Sequence, residues 1–204
     1  MRTRFLDFLL AALWFPLALS AWVAWTDRQA PLSLPLLAVN LLIIGLFLVR
    51  RPSRDLTKRP AAWALAVAGT TLPLLMRPLG DPVLPEPFGT ALQILSMVLQ
   101  ALTIGGILAS LFVLGRSFGL VPAHRGLVTS GPYRLVRHPL YSCEMAFYVA
   151  FVLGSPSVRN VLLLGGYLAL QWLRAAEEER LLTRDMRYRD YKRAVPWRFI
   201  PGLV

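Results

Sequence analysis

The chain has 204 residues, of which 56% are hydrophobic and only 16% are charged. Soluble domains carry about 25% charged residues, so this chain has too little polar surface for a water-soluble globule and is expected in a membrane. A net charge of +11 would suggest nucleic acid binding in a soluble protein. Here the charges fall between apolar runs, as they do in membrane proteins, and a nucleic-acid partner is not expected.

Apolar runs without Lys or Arg mark the expected spans in chain order. They cover residues 5–26, 32–49, 61–76, 88–114, 139–158 and 160–173. A perpendicular spanning helix needs about 20 residues, which the first, second and fourth runs supply, whereas the third run is short and contains Pro73. The last two runs are separated only by a few residues around Pro156, which predicts a tight helical hairpin. We expect an all-α integral membrane protein with five to six transmembrane helices, the last two forming that hairpin.

The amino terminus has two alternative interpretations. Arg2 and Arg4 precede an apolar stretch and the segment Ala-Leu-Ser-Ala at 18–21, as in a cleavable secretory signal. The apolar run continues to Trp25, however, which is longer than a usual signal core and favours an uncleaved first span.

Lys and Arg are distributed unequally between alternate loops. The amino terminus, residues 50–59, residues 116–137 and the tail from Arg174 onward hold 19 of the 22, and the opposite loops hold three. Because cytoplasmic loops are enriched in Lys and Arg, we expect both termini in the cytoplasm. The excess of Arg over Lys, 20 against two, is typical of a GC-rich bacterial genome and predicts the bacterial cytoplasmic (inner) membrane.

The last 90 residues differ from the rest because polar and aromatic residues alternate with apolar ones. We divide the chain into N-terminal transmembrane helices, residues 1–113, and a C-terminal region, residues 114–204, that contains a polar loop, the helical hairpin and a cytoplasmic tail. Residues 130–133, Ser-Gly-Pro-Tyr, predict a turn. Pro139 suits the first turn of a new helix, so Arg137 and His138 should lie at the mouth of that helix.

The helix that begins at Pro139 carries one polar face. Tyr141, Glu144, Met145 and Tyr148 follow each other at spacings of three and four and share that face. An ionisable group in an apolar run is costly in lipid and usually faces a cavity or a partner. Glu144 is therefore either a substrate-binding residue or paired with Arg137 or Arg134 at the membrane interface.

Arg174 and Glu178 are four residues apart and share a helix face. They form either a surface ion pair or part of a site, and their position beside the loop of His138 favours the site. The sequence has no GxGxxG or GxxxxGK[ST] motif, and its two histidines stand 14 apart without further metal ligands. No metal is expected, and the single Cys143 is predicted to be a small buried residue in preference to a reactive thiol.

Three segments carry a family resemblance: Gly-Leu-Val-Thr-Ser-Gly-Pro-Tyr at 126–133, Arg-His-Pro-Leu-Tyr at 137–141, and Glu178-Glu179 followed by Leu182, Tyr188 and Tyr191. Their order and spacing resemble the isoprenylcysteine carboxyl methyltransferase family, with its prokaryotic homologues and the related phospholipid methyltransferases. The resemblance covers roughly residues 114–202. It implies a membrane enzyme that binds S-adenosyl-L-methionine in a cytoplasm-facing pocket built from the final helices and their linking loop.

The resemblance also implies roles for individual residues. Arg174 would be the catalytic residue that faces the substrate. The cofactor contacts would be Arg125, Gly126, Leu127, Val128, Tyr133, His138, Pro139, Leu140, Tyr141 and Glu178. This chain departs from the family at Arg125, where the family has a histidine, and near Phe118, where eukaryotic members have a glutamine.

Such residues suit methyl transfer. Aromatic faces such as Tyr133 or Tyr141 attract a sulfonium cation, and Glu178 accepts hydrogen bonds from ribose hydroxyls or pairs with an amino group. A carboxylate acceptor is already nucleophilic at pH 7, so catalysis would be mostly alignment and desolvation, with Arg174 holding the carboxylate. A lipophilic or lipid-borne acceptor, isoprenylcysteine-like in the first instance, would enter from the bilayer.

Three other functions fit the same features. A phospholipid N-methyltransferase would use the same cofactor, and a membrane reductase of the sterol reductase type would use NADPH. A small basic membrane protein would merely bind anionic membrane lipids through its Lys and Arg side chains. For the acceptor, isoprenoid thioethers, phospholipid amines and small lipophilic acids all stay open.

Overall fold

Helices account for most of the residues that the computed structural model describes, which are 2–28, 30–53, 55–77 and 88–203. The helices are α1 (Arg2–Arg28), α2 (Ser33–Val49), α3 (Pro60–Thr71), α4 (Phe88–Leu114), α5 (Pro139–Gly154), α6 (Val158–Leu182) and α7 (Met186–Ala194). Two short strands, β1 (Asp55–Leu56) and β2 (Ala123–His124), pair in antiparallel orientation. The predicted all-α class is confirmed.

Within the described residues, two helical stretches, Asp7–Asp27 and Phe88–Ser117, are long and apolar enough to cross a membrane. Three shorter apolar helices accompany them: Ser33–Val49, Pro60–Leu75 and Pro139–Gly154. The third of the predicted runs is not one continuous α-helix, because α3 ends at Thr71 and a 3₁₀ turn, Leu72–Leu75, follows it around Pro73. The number of crossings stays a prediction, and residues 78–87 between this turn and α4 lie outside the described part of the chain.

The predicted turn between the last two apolar runs is confirmed. Helix α5 ends at Gly154 and α6 begins at Val158. The Ser157 hydroxyl caps α6 by accepting a hydrogen bond from the Asn160 N–H at 3.1 Å, which satisfies one of the free donors at a helix start. Helix α6 is 25 residues long. Its first half is apolar, and its second half is charged and extends past the end of the apolar run at residue 173.

The main hydrophobic core lies between α1, α2, α4 and α5. Helix α4 packs along α5, and α1 packs along α2. Phe47 of α2 is fully buried at their junction, with its ring 5.2 Å from that of Phe118 and 5.8 Å from that of Trp14. Half-buried Cys143 packs against the same core. Helix α3 packs separately on α6, which leaves space between the two groups of helices.

The loop between α2 and α3 lies against the loop that follows α4. The Arg51 N–H donates to the Arg116 carbonyl at 2.7 Å, and the Thr57 N–H donates to the Pro122 carbonyl at 3.2 Å. Strands β1 and β2 pair within the same contact, with Asp55 opposite His124. The N-terminal helices are thereby attached to the polar loop of the C-terminal region.

The same loop also contacts the end of α6. Arg59 donates two hydrogen bonds to the Glu177 carboxylate at 2.6 Å, and Arg184 donates to Asp55 at 3.0 Å. Three of the basic segments, residues 50–59, residues 116–137 and the tail, therefore meet at one end of the bundle. The side of the membrane on which they lie stays a prediction.

Candidate functional site

A cavity of about 460 Å³ lies between α1, α2 and α3 on one side and the C-terminal region on the other. One part of its lining is apolar and comes largely from the first three helices, with residues such as Trp14, Leu36, Val39 and Ile43. The other part is polar and comes from the C-terminal region. It contains Arg125, Tyr133, Arg137, His138, Tyr141, Glu144, Tyr148, Tyr167, Arg174 and Glu178.

The cavity brings together most of the predicted site residues. Those that line it are Arg125, Tyr133, His138, Leu140, Tyr141, Glu144, Arg174 and Glu178. Gly126, Leu127, Val128 and Pro139 are not part of its lining. Leu127 packs instead against a buried cluster of Tyr188, Tyr191 and Val195. The roles of these four residues stay predictions.

The start of α5 positions two aromatic side chains at the cavity. Pro139 occupies the first turn of α5, as the sequence predicts, and the His138 N–H donates to the Arg198 carbonyl at 3.0 Å. The His138 ring stacks on the Tyr141 ring with centroids 5.5 Å apart and planes within 1° of parallel. The Tyr141 hydroxyl donates to Glu178 Oε2 at 3.1 Å, which joins α5 to α6 at the cavity.

Glu179 accepts hydrogen bonds from several cationic side chains. Arg137 Nε lies 2.8 Å from its Oε1, Lys192 Nζ lies 3.0 Å from its Oε2, and Arg198 contacts both oxygens at 3.1 Å. His138 Nε2 lies 3.2 Å from Oε1. Burial alone would raise the pKa of this carboxyl, but these four partners hold the pKa well below its usual range. The ionised carboxylate of Glu179 therefore connects α6 with the loop before α5 and with the tail.

Tyr191 fastens α7 to the loop before α5. Its hydroxyl donates to the Tyr133 carbonyl at 2.6 Å, and it lies in a buried cluster with Tyr188 and Val195. Burial raises the pKa of Tyr191 to about 12, so the hydroxyl stays protonated and remains a donor at physiological pH. The tail thus holds Tyr133 at the cavity through its backbone.

Arg174 is buried where α6 meets α3. Its Nη1 donates to Gln171 Oε1 at 2.8 Å, its Nη2 lies 3.5 Å from the Leu120 carbonyl, and its guanidinium stands 5.0 Å from the Tyr141 ring centroid. Gly69 of α3 lies directly behind it, since a methyl group there would approach Arg174 Cδ to 2.7 Å. These contacts fix the Arg174 side chain, which also lines the cavity.

Glu144 does not pair with Arg137 or Arg134, so that alternative was wrong. Its Oε2 accepts a hydrogen bond from Gln171 Nε2 at 2.7 Å, and the same amide lies 2.9 Å from the Tyr167 hydroxyl. Arg137 is occupied by Glu179. Met145, expected on the same face as Glu144, packs in the apolar cluster around Tyr167.

Gln171 and Gly69 are site residues that the sequence analysis missed. Gln171 is fully buried and bridges Arg174 and Glu144 with the two ends of one amide. Its position three residues before Arg174 places it on the same helix face, which is the signal that identifies it. No local pattern identifies Gly69, because it meets Arg174 only through the packing of α3 on α6. In the described residues no group of three His, Cys, Asp or Glu side chains converges on a metal position.

The helical bundle encloses a cavity with one polar and one apolar part, and two of its described helical stretches are long and apolar enough to cross a membrane. The sequence profile of the phospholipid methyltransferase family matches residues 86–189, half of the chain, and it includes α4, α5, α6 and most of the polar lining. The protein therefore belongs to the phospholipid methyltransferase family. The resemblance to membrane methyltransferases is confirmed at this level, while the isoprenylcysteine type stays a prediction.

One curated relative is similar to half of the chain. The nickel-cobalt-cadmium resistance protein NccN of Alcaligenes xylosoxydans xylosoxydans is 32% identical over 103 residues. The match covers 50% of this chain and 45% of that protein, less than half of its length.

Proposed function

We propose that the protein transfers a methyl group from S-adenosyl-L-methionine to the carboxylate of a lipophilic acceptor, such as an isoprenylcysteine-like molecule. The observation that carries this proposal is the arrangement of Arg174 and Glu178. They lie one helix turn apart, face the same cavity, and that cavity continues into an apolar part between α1, α2 and α3. The Arg174 cation and the apolar groove suit an anionic amphiphile, and the Glu178 carboxylate suits a cationic cofactor.

The polar lining fits the functional groups of the cofactor. The Glu178 side chain is about one third exposed, and it has acceptor capacity beyond its bond from Tyr141 for ribose hydroxyls or an amino group. The Tyr133 and Tyr141 rings offer faces that attract a sulfonium. When bound, the cofactor supplies an electrophilic methyl group on sulfur. We assign Glu178, Tyr133, His138, Leu140, Tyr141 and Arg125 to this part of the site.

Arg174 is assigned to the acceptor. Its guanidinium is fixed by Gln171 and packed against Gly69, so little conformational freedom is lost when it binds a carboxylate. A carboxylate is nucleophilic without proton removal, and the protein has only to align it and exclude water. The apolar lining from α1 to α3 holds the hydrophobic part, which would enter from the bilayer.

A specific observation favours a second candidate, phospholipid N-methylation. Glu144 faces the same cavity, close to Tyr148 and Tyr167. A carboxylate among aromatic rings attracts an ammonium group, and the family to which the chain belongs favours this acceptor. The reductase alternative loses support from the same family match, which names methyl transfer.

We further infer that the protein lies in the bacterial inner membrane with both termini in the cytoplasm. The contact between the three basic segments supports this orientation, because it gathers them at the polar end of the cavity. Fusions of a cytoplasmic fluorescent reporter and of a periplasmic phosphatase to the carboxyl terminus test it. Fluorescence without phosphatase activity is expected, and the reverse result would contradict the orientation.

Cofactor binding is tested first, with the detergent-purified protein. Calorimetric titration with S-adenosylhomocysteine should show saturable binding, and NADPH should show none. Glu178→Gln should weaken this binding by about 10-fold or more, as expected for a lost charged hydrogen bond, whereas Glu177→Gln, one residue earlier and paired outside the cavity with Arg59, should leave it unchanged. If titration detects no S-adenosylhomocysteine binding to the folded protein, the proposed function is wrong.

The acceptor is tested with methyl-labelled cofactor. N-Acetyl-S-farnesylcysteine serves as the carboxylate probe and phosphatidylethanolamine as the amine probe. Base-labile label in the first identifies ester formation, and base-stable label in the second identifies N-methylation. Arg174→Lys should abolish most ester formation because a bidentate partner is lost, while Arg180→Lys, an exposed neighbour, should not. A protein that merely binds anionic lipids would respond alike to both substitutions.

A further inference from the structure

The cavity contains two buried arginines whose environments differ. Arg174 and Arg125 are both 8% exposed. Arg174 has hydrogen-bond partners on Gln171 and Leu120 and lies over Tyr141. The Arg125 side chain forms no hydrogen bond or ion pair with the described residues, and its Nε is buried without a partner. A buried guanidinium without a counterion costs free energy, so a bound anion would stabilise it.

Among the described residues no carboxylate pairs directly with the Arg125 side chain, although Asp7 and Glu178 lie within electrostatic range. Arg50 is the strongest charged influence on it, and that arginine already pairs with Asp7. Burial, followed by the repulsion from Arg50, lowers the pKa of Arg125 to about 10, and the side chain is still a cation at physiological pH. Glu178 lies within electrostatic range on the cavity side without contacting it.

The local chain makes room for this guanidinium. Gly119 lies against it, and a methyl group at that position would collide with the Arg125 guanidinium. The neighbouring loop is fixed by the β1–β2 pairing and by the Thr57 to Pro122 hydrogen bond. Arg125 is therefore held in place at the cavity and is not a surface side chain that has folded inward.

The position of Arg125 identifies which anion it suits. It lies beside Asp7, Arg50 and Ser53, at the end of the bundle where the basic loops meet. Arg174 lies against Gly69 of α3, at the junction with the apolar lining. We therefore expect a water-soluble ligand at the first position, next to the basic loops, and a membrane-borne acceptor at the second, next to the apolar lining.

We propose that Arg125 binds the carboxylate of the methionine part of the cofactor. This inference rests on the proposed function, because that function brings two anionic groups to one cavity and the cavity offers two buried cations. Arg174 holds the acceptor, Arg125 holds the amino-acid end of the cofactor, and Glu178 lies within electrostatic range of both. An arginine at this position is charged at every physiological pH, unlike the histidine of the family it resembles.

The test combines a ligand change with a residue change. S-Adenosylhomocysteine is compared with 5′-(3-aminopropylthio)-5′-deoxyadenosine, which is the same molecule without its carboxylate. The wild-type protein should bind the first at least about 10-fold more tightly, as a charged hydrogen bond provides. In Arg125→Gln the two compounds should bind within about 2-fold of each other. Arg51→Gln, an exposed arginine on the neighbouring loop, should keep the wild-type ratio.

Each outcome separates this inference from the proposed function. If both compounds bind and their ratio is unchanged in Arg125→Gln, Arg125 does not hold the carboxylate although the cofactor site stands. If neither compound binds to the wild-type protein, both the function and this inference fall. Gly119→Ala provides a second variant that keeps the arginine but displaces it, and the ratio should fall there too.

A ligand-free measurement gives an independent readout. Because Arg125 is a buried cation without a partner, Arg125→Met should raise the melting temperature of the unliganded protein. S-Adenosylhomocysteine should then stabilise this variant less than it stabilises the wild type. A lower melting temperature for unliganded Arg125→Met would mean that the cation already has its counterion in the protein, and would overturn the inference.

Discussion

Glu178 and Glu179 are consecutive in α6, and their carboxylates serve different parts of the molecule. Consecutive helix positions are about 100° apart, so Glu178 faces the cavity and accepts from Tyr141, while Glu179 faces the tail. Glu179 is 3% exposed and has four cationic or imidazole partners. One carboxylate is available to a ligand, and its neighbour is fully engaged within the protein.

Glu179→Gln should therefore lower the stability of the protein, although the Glu179 side chain itself does not line the cavity. It removes the charge that Arg137, Lys192 and Arg198 share, and breaking a buried ion pair costs about 3 to 5 kcal/mol. We expect a clearly lower melting temperature in detergent, measured by the fluorescence of the native tryptophans. Glu178→Gln is the matched control and should keep the melting temperature while losing cofactor affinity. Equal melting temperatures for the two variants would contradict this division of roles.

Because folding lowers the pKa of Glu179, we expect the stability of the protein to depend on pH. The pKa of Glu179 is lower in the folded protein than in the unfolded chain, where a glutamate titrates near 4.3. Its contribution is therefore complete above about pH 4.3 and is lost as the pH falls toward the folded value. The difference in melting temperature between the wild type and Glu179→Gln should shrink between about pH 5 and pH 3. A difference that stays constant over this range would show that folding does not lower the pKa of Glu179. Asp185, whose pKa is lowered to about 2 by Arg187 and then His124, is present in both proteins and cancels.

Local spacing predicted the part of the site that lies within one element. Pro139 predicted the start of α5, which placed Arg137 and His138 at its mouth, and the four-residue spacing predicted that Arg174 and Glu178 share a face. These relations depend on helix geometry alone. The structure reproduces them in the cavity lining.

The relations that sequence reasoning missed or misjudged are those between separate elements. Glu144 was expected to be either free for substrate or paired with a nearby arginine, and it contacts Gln171 from the next helix. Gly69 meets Arg174 across 105 residues of chain, and Arg51 meets the backbone of Arg116. Such contacts depend on how helices pack, and an apolar helix surface in a membrane carries little pattern that specifies its neighbour.

Gly69→Ala should impair the acceptor side of the site. The added methyl group would lie 2.7 Å from Arg174 Cδ, so the arginine must move while every one of its partners remains. A displacement of this size at a positioning group costs up to about 100-fold in rate. We expect slower methyl transfer with unchanged S-adenosylhomocysteine affinity. Gly165→Ala in α6 has open space around the new methyl group and should retain the wild-type rate. Similar losses in both alanine variants would point to general damage to the helices, not to Arg174.

Gln171 keeps Arg174 and Glu144 apart while it bonds to both. Its carbonyl oxygen accepts from Arg174, and its amide nitrogen donates to Glu144. A neutral amide in this position leaves the charge of Arg174 available to an anionic acceptor, whereas a direct ion pair would cancel it.

Gln171→Glu tests this separation with almost no change of shape. The new carboxylate would pair with Arg174 and repel Glu144, so we expect the KM for the carboxylate probe to rise by about 10-fold or more, as for other charged hydrogen bonds, with little change in S-adenosylhomocysteine affinity. Gln171→Met removes both hydrogen bonds without adding charge and should lower kcat more than it raises KM, because Arg174 is then mobile but still cationic. If both variants raise KM equally, the amide acts only through packing. Separate determination of kcat and KM with methyl-labelled cofactor distinguishes these outcomes.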